Sequence, residues 1–360
     1  MPGLAPTRAA VPIAKFSIRI NGQTVAAPVL DSILEVSVHE DVEALGMFSL
    51  RLYAWDEQKQ SVMWIEDSLF HEGNTVEIKI GIDGLSLLMA MVGEITGLEP
   101  EFSTTHAPTL TVRGYDRRHR LLRGYKTRSF TKMKDSAIAQ QIATEAGLTG
   151  KVVDSKVTLD YVLQQNQSDL DFLRERARRI GFEVVVDDKI LYFRPPQIQQ
   201  TPTTTLSLAD DLVEFSPRLT TMSQVGEVVV RGWDLMQKQA IVAKASTGQE
   251  TSLMGGSTSG PRAANKAFGN ASGVITQHPL SSKAEADQIA LGQLNTQALS
   301  YISGEGVCNG GNPHVRAGEI IKIEGVGRRF SGPYYVTSTI HTFSAAEGYT
   351  TSFSVRRNAT

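Results

Sequence analysis

Alternating apolar and polar residues mark the first part of the chain and predict antiparallel strands. Phe16, Ile18 and Ile20 alternate with polar residues and lead into Asn21-Gly22, a pair typical of hairpin turns. The same period of two recurs at Phe48–Leu52, at Val76–Ile80 ahead of the turn residues 81–84, and at Leu110–Arg113. We therefore predict a half-buried antiparallel sheet or barrel in this part of the chain.

The period changes near Tyr125, where two helices are predicted. Asp135 can cap the first helix, and Gly147 closes it after apolar residues at four-residue spacing. The second helix starts at Ser168, with Asp171 three residues later as an approximate capping box, and it ends at Gly181. Two short strands follow, at 182–186 and 190–193, joined by a turn at 187–189. Residues 125–200 are thus predicted to form a small α+β module.

Strand patterning resumes after Thr205 and is clearest at Val228–Val230. The polar, glycine-rich residues 247–261 carry few apolar side chains and predict a mobile loop. Residues 281–300 have a helical pattern, and the last part of the chain returns to strands. The predicted fold is β-rich α+β, with two antiparallel β-domains and an inserted α+β module. The predicted domains are an N-terminal extension (1–14), a first barrel (15–124), the α+β module (125–200) and a second barrel (201–360) that contains the mobile loop (247–261) and a helical insertion (281–300).

An internal repeat supports the expectation of two related barrels. The interval from Ile80 to Arg113 is 33 residues, as is that from Ile323 to Arg356, and both end in similar strands. Further similarities are the segments 112–116 and 230–234, and the histidines His106 and His341. Chance similarity between amphipathic strands is the alternative. Duplication predicts that residues 76–113 and 320–356 superpose. It also predicts that Lys79 and Lys322 occupy equivalent positions outside the cores. If the two segments lay in one continuous sheet, the argument for duplication would fail.

Composition restricts the function. The chain of 360 residues is 41% hydrophobic and 21% charged, with a net charge of −2, which disfavours a protein that mainly binds nucleic acid. Its one cysteine, Cys308, cannot form an intramolecular disulfide and is expected in a loop as a buried or incidental residue. Residues 1–14 lack the apolar segment of a signal peptide, and no apolar run reaches the ~20 residues of a membrane helix. We expect folding in a cytoplasm and no membrane insertion by this chain.

No residue of the sequence is predicted to be catalytic, cofactor-binding or metal-binding. The chain has no phosphate-binding glycine loop, no His-Glu-x-x-His, no Gly-x-Ser-x-Gly and no Cys-x-x-Cys. Asp187-Asp188 lies in a predicted hairpin turn and Asp210-Asp211 in a predicted loop, and nothing indicates that either pair forms a glycosidase site. The histidines are scattered, with no pair at i,i+4 spacing: His39, His71, His106, His119, His278, His314 and His341.

The most suggestive feature for an anionic partner is a basic segment from Arg113 to Arg128. Five arginines, a lysine and a histidine follow Arg113 there, with Tyr115 and Tyr125 among them. A nucleic-acid groove uses such spacing, but a charged protein–protein face or a pore lining is favoured, because no further basic surface extends the segment. The arginines of the second helix are expected on its solvated face: Arg174, Arg176, Arg178 and Arg179.

Taken in order, these segments resemble phage late-control D-type proteins and the hub half of VgrG-type spike proteins. Residues 112–121 resemble the junction of the first barrel in the D-type family, and residues 136–139 with 168–182 resemble its inserted domain. Residues 318–341, with Gly325-Val326-Gly327 and Gly332-Pro333-Tyr334-Tyr335, resemble the end of the VgrG hub half. The resemblance extends from about Ala14 to Arg357, and the order of the motifs carries its specificity.

The resemblance implies a structural, non-enzymatic baseplate hub of a phage tail or contractile injection system. It implies a fold with two related antiparallel tube-like β-barrel domains in each chain, and a homotrimer whose six barrels adapt a three-fold spike to a six-fold inner tail tube. The implied partners are a spike protein, the inner tail-tube protein and other baseplate subunits, with no cofactor and no nucleic-acid specificity. VgrG-type proteins continue into a collar and a β-helical spike where this sequence ends, so the spike is either a separate chain or a missing C-terminal part. A tail-tip cell-wall hydrolase and a polyanion-binding module are the alternatives.

Overall fold

The computed structural model describes residues 14–82, 86–234, 237–276, 280–346 and 348–360. Strands hold 47% of the residues and helices 18%, with large antiparallel sheets, so the predicted β-rich α+β fold is confirmed. The predicted N-terminal extension, apart from Ala14, lies outside the described residues, and so does His278.

The first part of the chain forms strands whose apolar alternation points to one core. Ile18, Phe48, Leu50 and Ile78 are almost completely buried in this core. The elements are β1 (Ala14–Ile20), β2 (Gln23–Thr24), α1 (Ala27–Asp31), β3 (Ile33–Asp41), β4 (Met47–Tyr53), β5 (Trp55–Asp56), β6 (Ser61–Val62), a 3₁₀ turn (Ser68–Phe70), β7 (Thr75–Ile82), β8 (Leu88–Glu101), β9 (Thr109–Tyr115) and α2 (Arg118–Leu121).

The predicted α+β module contains both expected helices. The predicted cap of the first helix is wrong, because Asp135 is its first residue and Lys134, at the cap position, makes no side-chain cap hydrogen bond. The Ser168 hydroxyl accepts a hydrogen bond from the Asp171 amide at 3.1 Å and so caps the second helix. Gly147 and Gly181 have φ values of 71° and 69°, the left-handed backbone expected after a helix. The elements are β10 (Lys126–Lys134), α3 (Asp135–Glu145), β11 (Thr149–Val152), β12 (Thr158–Gln167), α4 (Asp169–Arg179), β13 (Glu183–Asp187) and β14 (Ile190–Arg194).

The last part of the chain divides between two sheets. Its elements are β15 (Thr204–Ser207), β16 (Leu212–Leu219), β17 (Glu227–Asp234), β18 (Gln239–Ser246), α5 (Gly260–Phe268), β19 (Ser272–Ile275), α6 (Lys283–Leu299), β20 (Ile302–Cys308), β21 (Ile320–Glu324), β22 (Gly332–Ser344) and β23 (Gly348–Arg357). Strands β17–β19 form a separate sheet that shares a core with α6 and the α+β module. Val228–Val230, which the sequence placed in the second barrel, therefore lies in this separate sheet, whereas α6 confirms the helical pattern of 281–300. The domain boundaries stay a prediction.

Two halves of one large sheet share a strand order. The first half-sheet runs β1-β7-β8-β9-β4-β3, and the second runs β15-β21-β22-β23-β20-β16. The first pair differs in direction, because β1 is antiparallel to β7 whereas β15 is parallel to β21. The halves are continuous, because β22 pairs with β3 to give a 13-stranded sheet. Residues 76–113 and 320–356 therefore lie in one continuous sheet, and the duplication argument drawn from the sequence fails by its own criterion. The common strand order is independent evidence that the halves are related.

The residue-level equivalences taken from the 33-residue interval are also wrong. Ile80 pairs with Leu88 of β8, and Ile323 pairs with Gly332 of β22. Along β8 and β22, these two partners lie at different distances from the residues that pair with Arg113 and Arg356. Lys79 and Lys322 therefore do not occupy matching positions, although both are partly exposed as expected. His106 lies in an exposed loop whereas His341 is buried in β22, and residues 230–234 belong to the separate β17–β19 sheet.

Residues 247–261, predicted to bury little, are packed. Met254 is buried in a small core with Val42, Leu299 and Tyr335. The amides of residues 257 and 258 donate to the carbonyl oxygen of Thr360. The composition of the segment did not predict this packing, because the packing depends on one buried methionine and on hydrogen bonds to the C-terminal backbone. The mobility of the segment stays a prediction.

Candidate assembly interface

The junction between the half-sheets is a strand pair within the chain. The first residues of β22 pair with β21, and its later residues, from Ser338 to Ser344, pair antiparallel with β3 from Asp41 to Glu35. Thr339 and His341 are almost completely buried at this junction. One strand thus belongs to the second half-sheet at its start and joins the first half-sheet at its end.

Polar contacts fix the junction in place. The Arg316 guanidinium donates to the Glu40 carboxylate at 2.6 Å and to the carbonyl oxygen of Ala90 at 2.9 Å. The Thr339 hydroxyl donates to the same carboxylate at 3.2 Å. These contacts connect β22 and the segment before β21 to strands β3 and β8, and so hold the two halves in one register.

His341 is a neutral member of the junction. Its Nε2 lies 3.1 Å from the carbonyl oxygen of Val315, which can only accept, so Nε2 carries the proton. Its Nδ1 is then the acceptor nitrogen, and it lies 2.9 Å from the Tyr349 hydroxyl and 3.0 Å from the Thr351 hydroxyl. Burial lowers the pKa of His341 to about 4, which keeps the ring neutral.

A repeated backbone motif gives the residue correspondence between the halves. The Gly318 amide donates to the Val336 carbonyl, the Val336 amide donates to the Glu319 carbonyl, and a β-bulge follows in β22. In the first half, Gly73 and Asn74 make the same two hydrogen bonds with Ile95, and a bulge follows in β8. Ile95 therefore corresponds to Val336, and β8 beyond its bulge corresponds to the part of β22 that pairs with β3.

The corresponding edges, on the later residues of β8 and on β16, have no strand partner among the described residues. β8 from Thr96 to Glu101 pairs only with β9, and β16 pairs only with β20. Phe102, directly after β8, is 64% exposed, and Val213 in β16 is 68% exposed. Pro100 and Pro217 are both on these strands, where an open edge tolerates the missing N–H. These two edges are the candidate assembly interface, which the sequence did not indicate.

The basic segment around Arg117 is mostly neutralised inside the chain, so the expected charged face or pore lining is wrong for its central residues. Glu94, on β8 and 3% exposed, accepts hydrogen bonds from Arg117 at 3.1 Å, His119 at 2.9 Å and Arg120 at 2.8 Å. Burial alone would raise the pKa of Glu94, but these donors lower it to about 2. Arg118, 2% exposed, is paired with Asp116 at 2.6 Å. A nucleic-acid groove loses its support for the same reason.

The arginines of α4 do not form the expected solvated face. Arg176 is buried and donates to Asp135 of α3 at 2.6 Å, and Arg179 donates to Glu285 of α6 at 2.9 Å. Arg178 alone of the four is exposed. Burial lowers the pKa of Arg174, with Arg118 nearby as a further cause. Arg176 and Arg179 thus join α4 to α3 and α6 within the chain.

The remaining residues noted in the sequence are structural or dispersed. Cys308 ends strand β20 and is buried, so its expected loop position is wrong; burial raises the pKa of its thiol to about 12. Asp188 has φ 46° in the β13–β14 turn and pairs with Arg117, while Asp211 accepts from the Ser207 amide at 2.8 Å. No His, Cys, Asp and Glu group suited to a metal ion occurs among the described residues.

A polar cavity of about 260 Å³ lies where β3, β8 and the α+β module meet. Its lining includes Glu40, Asp116 and Arg118, which are already paired with neighbours, and Glu319, whose pKa burial raises. Among the helices that the structure describes, none is long and apolar enough to cross a membrane.

Comparison with known proteins decides the family. The model described as the Alg8 N-terminal domain matches residues 10–345. The chain belongs to this family. No curated protein sequence matches the chain.

Solved structures share the fold across almost the whole chain. The 43 kDa tail protein of prophage MuSo2 from Shewanella oneidensis is 13% identical with a TM-score of 0.70, covering 96% of this chain and 98% of that one. The tail protein from Neisseria meningitidis MC58 is 14% identical with a TM-score of 0.66, covering 96% of each chain. The Escherichia coli c3393 protein, a type VI secretion component described as similar to the phage T4 tail proteins gp27 and gp5, is 13% identical with a TM-score of 0.59, covering 95% of this chain and 77% of that one. The fold is therefore that of phage tail proteins and related secretion-system proteins, which confirms the coarser part of the resemblance; the late-control D-type family itself is not confirmed.

Proposed function

We propose that this family member is the structural hub of a baseplate, in a phage tail or a contractile injection system. One observation carries the proposal. The chain holds two halves of the same strand order, joined edge to edge by β22 and β3. Among the described residues, the edge of β8 that corresponds to this part of β22 and the edge of β16 that corresponds to β3 have no strand partner.

Such a chain is suited to forming a ring of its own copies. The edges on β8 and β16 are different surfaces, so one copy can offer β8 to β16 of the next in a head-to-tail contact that closes when the rotation fits. If three copies close the ring, six related halves surround the axis. A three-fold hub would then present a six-fold-like face to an inner tail tube, and its three-fold character would suit a spike.

The proposed partners combine this arrangement, which requires further copies of the chain, with those that the resemblance to baseplate hubs implies. They are two further copies of the chain, the inner tail-tube protein, other baseplate subunits and a spike, which is either a separate polypeptide or a continuation of this one. The protein would be assembled in a cytoplasm and become part of a tail or injection particle. The proposed role is non-enzymatic, and no arrangement among the described residues specifically favours the cell-wall hydrolase.

The mass of the purified protein in solution tests the proposal. Light scattering at micromolar concentration should give three chains of 39.2 kDa each. A stable monomer would contradict the hub, because two open strand edges per chain would then remain unused. Clearing of a cell-wall suspension by the purified protein would favour the hydrolase instead.

A further inference from the structure

We propose that residues 97–102 of one copy pair antiparallel with residues 215–220 of a second copy, in the register of the internal β22–β3 junction. The inference deepens the proposed function and rests on the head-to-tail ring, since it names the strands and residues that make the contact. The occupant of each edge is therefore a second copy of this chain.

The register follows from strand pairings within each half. Because Ile95 corresponds to Val336, residues 97–102 correspond to residues 338–343. The opposite edge is matched by following strand pairs away from the bulge. In the first half, Arg113 pairs with Ser49, which pairs with Ser37. In the second half, Ser354 pairs with Glu305, which pairs with Ser216. Ser37 and Ser216 thus hold the same position, and the internal pair of Thr342 with Ser37 predicts that Glu101 lies opposite Ser216.

The side chains brought together are complementary, although the register came from backbone alone. Glu99, which accepts a hydrogen bond from Arg113 of its own chain at 2.7 Å, would also lie opposite Arg218, an acid opposite a base. A shift of two residues places Glu99 opposite Ser216 or Thr220 and removes this match. The register also places Leu98 opposite Leu219.

An aromatic pair extends the match. Phe102 would lie opposite Phe215, which already packs against Tyr334 with ring centroids 5.6 Å apart. At the internal junction the residue that corresponds to Phe102 is Phe343, which packs against Phe16 with ring centroids 4.7 Å apart. The second copy would thus cover the exposed Phe102 ring, just as the Phe343 ring is covered within the chain.

One position in the new pair differs from its internal counterpart. Pro100 would lie opposite Pro217, where the internal junction has His341 opposite Val38. Neither proline has an N–H, so this position supplies no backbone donor and divides the hydrogen-bonded ladder into two short segments. Prolines at open edges also discourage pairing with unrelated strands, so side-chain complementarity has a larger share in selecting the partner.

Cysteine cross-linking tests the register. In the variant Glu99→Cys with Arg218→Cys, the two Cβ atoms would lie ~4.5–5.5 Å apart across the contact, near enough for a disulfide after small adjustment. Mild oxidation should give covalent dimers and trimers on a non-reducing gel. The matched control, Glu99→Cys with Ser216→Cys, places the cysteines on a diagonal at ~7–8 Å and should cross-link at least ten-fold more slowly. Cys308 is buried in both variants.

Each outcome separates this inference from the proposed function. Faster cross-linking of the control pair would overturn the register. A solution trimer without either cross-link would overturn the strand pairing and leave the hub standing, whereas a monomer by light scattering would overturn both. A second test uses charge: Glu99→Arg and Arg218→Glu should each weaken the assembly about ten-fold or more, and their combination should restore most of the loss. Failure of that rescue would also count against the register.

Discussion

Removing the Glu94 charge should destabilise the protein, because this carboxylate neutralises three basic side chains at a buried site. The substitution Glu94→Gln keeps the shape of the side chain but leaves Arg117, which is 6% exposed, with Asp188 as its remaining acidic partner. His119 and Arg120 lose the same charged acceptor. The free energy of unfolding should therefore fall.

The size of the loss follows from the pKa of Glu94. The pKa falls from an ordinary 4.5 to about 2, and since each pKa unit corresponds to ~1.4 kcal/mol, the charged carboxylate contributes about 3 kcal/mol. Loss of one partner from a buried ion pair costs ~3–5 kcal/mol, which agrees. For a chain of this length, with an unfolding entropy of ~2.1 cal/mol/K per residue, the loss lowers Tm by about 4 °C.

The assay is thermal unfolding of the wild type, Glu94→Gln and a control, Glu72→Gln, at one protein concentration. Glu72 is exposed and should change the free energy of unfolding by less than ~0.5 kcal/mol. Because the folded-state pKa of Glu94 is depressed, its contribution is present above pH 4.5 and is lost as the pH falls toward 2. The difference between wild type and Glu94→Gln should shrink over that interval. Equal Tm values for the two variants at pH 7, or a difference that grows on acidification, would refute the reasoning.

Three further predictions concern single residues. Ser168→Ala should lower the free energy of unfolding by ~1 kcal/mol in denaturant titration, because it removes the cap of α4; an unchanged midpoint would show that the cap contributes nothing. The pKa of His341 is lowered from 6.5 to about 4 in the folded protein, so acidification from pH 6.5 to 4 should lower the free energy of unfolding by about 3 kcal/mol. The variant His341→Gln should lack this pH dependence. Identical pH profiles for the variant and the wild type would contradict the prediction. The Cys308 thiol, buried and with its pKa raised to about 12, should resist a thiol reagent in the native protein and react after denaturation; rapid native labelling would contradict its burial.

Local features of the sequence were predictive because their causes lie within a few residues. The Ser168 cap and the left-handed Gly147 and Gly181 depend on neighbouring backbone groups, and all three were predicted correctly. The alternation at Val76–Ile80 and Leu110–Val112 likewise identified strands whose apolar faces are buried. A period of two is enough to assign such a face.

The assembly edges and the buried ion pairs could not be predicted in the same way. Thr339 and Glu40 meet at the junction although 299 residues separate them. The basic segment was recognised, but its acceptor Glu94 lies on another strand and its burial depends on tertiary packing. The shared 33-residue interval gave a wrong residue correspondence, because loops and strands of different lengths in the two halves add up to the same number of residues. The bulges after Ile95 and Val336 mark the true correspondence.

Electron microscopy of the purified protein tests the central claim most directly. The account predicts closed rings of three chains in which six similar β-rich halves surround the axis, with the α+β modules outside that six-fold-like pattern. Contacts between copies should run from β8 of one chain to β16 of the next. Monomers, or open filaments that never close, would contradict the proposed hub.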